Sequence, residues 1–237
     1  MWNDAFFMES ARFLPPDLCS WEINSDIHIW RFPVAPANFY FLTEEEKATV
    51  LRFRFEEDRI RFSVGRQSLR LLIAKYLSVK PETIVLSAEK NHKPALLQPE
   101  AGLHFNVSHS GGWVLIAVTE NEVGVDIELV DEDFSYQDIL VEHFSHAERT
   151  FIADSVDPLP AFYYLWTRKE ALTKAWGTGL QENLQSINAL HTGNFSDPEK
   201  KSWQLKSFCL SPVYPAAVAC SPRIGNILYY QGEGYLF

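Results

Sequence analysis

Val123-Gly124-Val125-Asp126-Ile127-Glu128-Leu129 is the stretch on which the chain's organisation turns. Its apolar residues alternate with small or charged ones, the period of a β-strand with two different faces. Side chains at i and i+2 share a face, so Asp126 and Glu128 point one way while Val125 and Ile127 point into a core. Two carboxylates about 6–7 Å apart along one face repel each other unless a cation lies between them. Hard oxygen ligands with positions left for water and phosphate suit Mg²⁺. A polar face on a half-exposed strand is the other reading of the same residues.

Upstream, Trp113–Val118 reads as a strand followed by a turn at Glu120-Asn121, which predicts a hairpin with the stretch just quoted. Shorter strands are predicted at Ile27–Phe32, Thr83–Leu86 and His104–Val107. Thr43 with Glu46 three residues on is a capping-box pattern and starts a helix. A longer helix is expected over about 57–77, from the spacing of Phe62, Leu69, Leu72, Ile73 and Tyr76. Gly65 inside it points to close packing, because an interior helix glycine costs about 1 kcal/mol against alanine. Residues 1–26, with Pro15-Pro16, read as an irregular lead-in.

Downstream the outline repeats. Ser145 with Glu148 is a second capping box, opening a short helix. Leu159–Trp176 reads as a long helix stopped by Gly177 and Gly179, and strand-like runs follow at 202–210, 215–220 and 227–230. The fold class is therefore α+β, in two halves of mixed strand and helix, 1–122 and 123–237. On the long helix, Phe162, Leu165, Leu172 and Trp176 form an apolar stripe. Trp166, Glu170 and Lys174 lie at i, i+4 and i+8 on a row beside it, so Glu170 and Lys174 are partly buried neighbours. A plain i,i+4 surface pair is the alternative. Lys169 points near the apolar stripe itself, an odd place for an ammonium without a task.

Two further segments carry polar chemistry. In Phe105-Asn106-Val107-Ser108-His109-Ser110-Gly111-Gly112, a strand runs into small polar residues, one histidine and two glycines. Backbone N–H groups, a hydroxyl and an imidazole there can hold a phosphate, or the segment is an ordinary hairpin turn. Lys90-Asn91-His92-Lys93-Pro94 offers two lysines to phosphates, or is a solvated loop.

The 237-residue chain is 46% hydrophobic and 14% aromatic, enough for packed cores, and carries a net charge of −10. A nucleic-acid binder has the opposite balance, and a membrane-surface binder carries a basic face. No apolar run approaches the about 18 residues a membrane span needs, and the N-terminus lacks the charged and apolar regions of a secretory signal. Cys19, Cys209 and Cys220 are odd in number and lack metal-ligand spacing, so buried thiols in a reducing compartment are expected. The expectation is a cytoplasmic protein that binds neither nucleic acid nor membrane, whose anion sites are built locally.

Taken in order, His92-Lys93-Pro94, Phe105 to Ser110, Gly124 to Glu128, Phe144-Ser145 with Glu148, and Trp166 to Lys174 resemble the 4′-phosphopantetheinyl transferase superfamily in its two-half, surfactin-synthetase-activating branch. The spaced set covers residues 92–180. The resemblance implies a pseudo-dimer of two similar α/β halves with coenzyme A in a cleft between them. It implies a magnesium ion held by Asp126, Glu128 and Glu170. Coenzyme A contacts would come from Ser108 and His109, with His109 at the 3′-phosphate, from Lys93 with Pro94 at the nucleotide end, and from Asp126. Lys174 would lie near the pyrophosphate, and Glu170 would be the base. The partner would be an apo acyl or peptidyl carrier protein, and the internal duplication predicts a monomer. Members often carry two basic residues at the positions of Lys47 and Thr49. Here Lys47 keeps one charge, and Arg52 or Arg54 is the nearest replacement for the other.

Overall fold

The computed structural model describes residues 8–87, 93–177, 184–222 and 224–232. Two compact units emerge, and each terminus joins the unit that the other half of the chain builds. The N-terminal unit is Arg12–Glu122 with the described part of Arg223–Phe237. The C-terminal unit is Val123–Pro222 with the described part of Met1–Ala11.

The C-terminal unit contains β1 (Glu9–Ser10), β7 (Val123–Ile127), α3 (Gln137–His143), α4 (His146–Asp154), α5 (Pro158–Trp176), β8 (Phe195–Ser196), β9 (Ser202–Ser211) and β10 (Tyr214–Cys220). Its sheet runs β1-β9-β10-β7, with β8 on β9. The N-terminal unit contains β2 (Ile27–Pro33), α1 (Glu44–Val50), α2 (Glu56–Tyr76), β3 (Val85–Leu86), β4 (Leu96–Gln98), β5 (His104–Ser110), β6 (Trp113–Thr119) and β11 (Ile227–Gln231). Its main sheet runs β11-β2-β6-β5, and β3 pairs with β4 separately.

The expected hairpin between 113–118 and 123–129 does not form. β6 is flanked by β2 and β5, so its ladder hydrogen bonds are taken, and β7 pairs with β10 in the other unit's sheet. β6 makes its hairpin with β5 instead, across Gly111-Gly112, where Gly111 takes a φ of 52°. Strand β5 also runs further than expected, so Ser108, His109 and Ser110 belong to it and not to the turn.

The two units share a construction. A short helix opens on a capping box, and the boxed glutamate also grips a cation from the long helix. In the N-terminal unit, Glu46 caps Thr43 and receives Arg70 of α2, Nη2 lying 2.9 Å from both carboxylate oxygens. In the C-terminal unit, Glu148 caps Ser145 and lies 2.9 Å from Lys169 Nζ of α5. Each long helix packs on its sheet through an apolar face: Val64, Leu69, Leu72 and Ile73 on α2, and Leu165, Ala171, Leu172 and Ala175 on α5. α5 ends as its sequence predicts, at Gly177 in the left-handed conformation, while Gly179 lies outside the described residues. α3 carries no side-chain cap and no fully buried residue, so no local pattern marks it in the order of residues. All three thiols are buried and none is in a disulfide. Among the described residues no helix is long and apolar enough to cross a membrane.

One buried histidine sets an acid limit on stability. His28, on β2, is fully buried, with Nδ1 2.8 Å from the Tyr76 hydroxyl, which also accepts a hydrogen bond from Trp30 Nε1 at 2.8 Å. Burial lowers the imidazole pKa from 6.5 to about 4, against a smaller opposing effect of Asp26. The unfolded chain therefore takes up the proton first. His28 leaves stability intact above pH 6.5 and removes it as the pH falls towards 4, by about 3 kcal/mol at most. Denaturant midpoints measured across this window are expected to fall in the wild type, and to fall less steeply in His28→Gln.

Candidate active site

Strand β7 and helix α5 bring four of the expected site residues together within the C-terminal unit. Antiparallel pairing sets Asp126 opposite Ala217 of β10, and α5 lies across both strands. β7 ends at Ile127, short of the expected Leu129; strand alternation turns Gly124 and Asp126 to the face that α5 covers, and Glu128 follows directly after the strand, its N–H donating to the Pro215 carbonyl. At Gly124 the helix comes so close that a β-carbon would lie 2.1 Å from Ala171 O and 2.3 Å from Ala175 N. The small residues Ala171 and Ala175 permit this approach from the helix side, and it draws the side chains of α5 up to Asp126.

Asp126 is 3% exposed, and its Oδ1 accepts a hydrogen bond from Lys174 Nζ at 2.6 Å. Glu170, one turn earlier on α5, is 8% exposed, and its Oε1 is buried without a hydrogen-bond partner among the described residues. Burial, the neighbouring Asp126 charge and the Glu128 charge push the Glu170 carboxyl up to about 7, with Lys174 pulling the other way. The Lys174 ammonium is pulled down by burial, but Asp126, Glu170 and Glu128 outweigh this and raise its pKa. Three carboxyl groups thus act on one ammonium in a site largely closed to water.

A hard divalent cation would be held by such a group of carboxylates. The donors are all carboxylate oxygens, and Glu170 Oε1 is buried with no competing bond, so the residues fit magnesium in kind. As the side chains stand, no three His, Cys, Asp or Glu among the described residues are grouped closely enough to enclose a metal. The Lys174 ammonium takes the Asp126 oxygen instead.

The remaining expected residues lie in the N-terminal unit. Ser108 is buried and His109 exposed, neighbours on β5. Lys93 is half-buried, with burial lowering its pKa against the pull of Glu122, and Pro94 beside it is buried. His92 lies outside the described residues. Lys47 forms an exposed ion pair with Glu44 at 2.7 Å, and Arg52 is exposed just past α1. An exposed i,i+3 pair of this kind is weak, so Lys47 is available to a stronger anion. Thr49 donates its hydroxyl to the Glu45 carbonyl.

Two family profiles divide the chain between them: "4′-phosphopantetheinyl transferase, N-terminal" over residues 35–121, and "4′-phosphopantetheinyl transferase superfamily" over 122–219. Curated relatives match over most of their length. The 4′-phosphopantetheinyl transferase psf-1 of Bacillus pumilus is 33% identical over 196 residues, covering 75% of this chain and 78% of that protein. HetI of Nostoc sp. strain PCC 7120 is 32% identical over 229 residues, 88% of this chain and 94% of its own. Sfp of Bacillus subtilis is 30% identical over 189 residues, 76% and 83%. The chain belongs to the 4′-phosphopantetheinyl transferase superfamily.

The junction of the two profiles falls at 121/122, next to the boundary where the chain passes from one unit to the other. Within this transferase, the pairing of Glu148 with Lys169 is the feature near the site that motif reading missed. The only signal for it was an ammonium placed on an apolar helix stripe.

Proposed function

We propose that this transferase moves the 4′-phosphopantetheine group of coenzyme A onto a serine of an apo acyl or peptidyl carrier protein, with magnesium held by Asp126, Glu128 and Glu170. The observation that carries the reading is the Glu170 carboxyl, buried beside Asp126 with an Oε1 that has no hydrogen-bond partner among the described residues. A carboxylate oxygen with no competing hydrogen bond can accept a proton as a general base. The names of its relatives support the same activity.

In this reading Glu170 takes the proton of the carrier serine. The serine oxygen attacks the β-phosphorus and forms the new P–O bond. The bond from that phosphorus to the bridging oxygen breaks, and 3′,5′-adenosine diphosphate departs with the electron pair. Magnesium, when bound, would neutralise charge on the pyrophosphate during this exchange. Lys174, with its charge reinforced by three carboxylates, steadies negative charge on the leaving side. Ser108, His109, Lys93, Pro94, Lys47 and Arg52 hold the nucleotide end of coenzyme A. Positioning and electrostatics supply most of the rate, because little covalent chemistry is asked of the protein. We place the protein in the cytoplasm as a monomer, a single chain carrying both halves.

Incubation with coenzyme A, Mg²⁺ and a panel of apo carriers is expected to add one phosphopantetheine mass to at least one carrier, seen by mass spectrometry. EDTA is expected to abolish the gain and excess Mg²⁺ to restore it. A panel left unmodified would overturn the reading. Release of phosphopantetheine without any carrier would make the protein a hydrolase.

A further inference from the structure

Lys169 and Glu148 are both completely buried, their charged atoms 2.9 Å apart. Every proton of the ammonium has a target: Glu148 Oε1, the Leu184 carbonyl at 2.7 Å and the Ile187 carbonyl at 2.6 Å. Glu148 Oε1 also accepts the Ala189 N–H at 2.8 Å, while Oε2 accepts the Ser145 N–H of the capping box at 2.8 Å. The preceding residue extends the same clamp, since Arg168 donates to the carbonyls of Ala189 and His191, each at 2.7 Å. Consecutive cations on α5 thus hold residues 184–191, while Glu148 ties α4 to both.

A buried ion pair is a poor source of stability, because desolvating two charges cancels most of their attraction. Burial indeed pulls the Lys169 pKa down against the effect of Glu148. What such a pair supplies is direction. Apolar packing on either side of α5 tolerates small rotations about the helix axis, but an ammonium with three fixed acceptors does not. Glu170 is the next residue along, about 100° further round the helix. A side-chain end about 5–6 Å from the axis moves about 2 Å for a rotation of about 20°. That displacement equals a whole metal–oxygen distance, about 2 Å for magnesium.

We propose that Lys169 and Glu148 are a positioning pair, which fixes the rotation of α5 and so aims the Glu170 carboxylate at the site it shares with Asp126. The inference rests on the metal site proposed above, and its test separates the two. Mn²⁺ is titrated into the full-length protein with coenzyme A present and no carrier, and binding is read by electron paramagnetic resonance. Two variants are compared with wild type: Glu148→Gln, which keeps the side chain's shape and one of the two oxygens that accept backbone N–H groups, and Glu148→Gln with Lys169→Met, which removes both charges. Ile152→Val, a core change on α4, serves as a purely structural control.

Both pair variants are expected to weaken Mn²⁺ binding by about tenfold to a hundredfold per folded molecule, the usual effect of losing groups that orient metal ligands. The control is expected to bind as wild type does whatever its melting temperature, and the KM for carrier is expected to be unchanged throughout. Folded pair variants that bind Mn²⁺ like wild type would overturn the positioning role and leave the metal site standing. A wild type that binds no Mn²⁺ would overturn the metal site, and the positioning role with it. Should the double variant fail to fold, Glu148→Gln alone decides.

Discussion

Gly124→Ala is expected to inactivate this transferase and to destabilise it by about 3 kcal/mol or more, the upper range of overpacking effects. The added methyl would meet three backbone atoms of α5: Ala171 O at 2.1 Å, Ala175 N at 2.3 Å and Ala175 Cα at 2.9 Å. None of these can swing away as a flexible side chain would, so α5 must lift from β7 as a body. Glu170 and Lys174 travel with it, away from Asp126. Urea unfolding monitored by tryptophan fluorescence would record the loss of stability, and the carrier-modification assay the loss of activity. Gly177→Ala makes the contrast. Its φ of 73° strains a side chain, but the new methyl enters open space, so a cost of about 1 kcal/mol is expected. Equal effects of the two substitutions would sink the close-approach argument.

Glu170→Gln is expected to lower kcat about a thousandfold, within the range for losing a general base, while the melting temperature does not fall. The two halves of this expectation have one cause. Glu170 Oε1 makes no hydrogen bond that the substitution could break, and burial with two neighbouring carboxylates already disfavours its charge. A neutral amide of the same shape relieves that burden while removing the proton acceptor. Asp126→Asn should behave differently, because it leaves the Lys174 ammonium without the carboxylate that holds it at 2.6 Å. A lower melting temperature is expected there together with lost activity. Calorimetry alongside the turnover assay distinguishes the two cases, and a Glu170→Gln enzyme of near wild-type rate would remove Glu170 from the mechanism.

Much of the local structure is legible in the order of residues. Both capping boxes, Thr43 with Glu46 and Ser145 with Glu148, open helices in the expected way. The apolar spacing of α2 and α5 placed those helices within a residue or two, and Gly177 ends α5 as glycine after a helical run should. Pairing of strands was not legible. A turn-like Glu120-Asn121 between two apolar runs suggested a hairpin, yet the partners of β7 and β6 lie elsewhere in the chain. Nor did anything in residues 8–11 or 224–232 mark them as exchanged between the halves, where Glu9 aligns with Phe208 and Ile227 with Ile27.

The division follows the range of the forces involved. Capping, helical periodicity and strand alternation act between residues a few positions apart, so the order of residues alone determined the helices that open on a capping box or carry a long apolar stripe, the alternation that runs through β7, and the Glu170–Lys174 row. Burial and charge coupling depend on which distant elements meet. Only the tertiary structure decided that Asp126 would hold Lys174, that Glu170 would be buried with an unpartnered oxygen, and that the ammonium of Lys169 would be spent on Glu148 and two carbonyls.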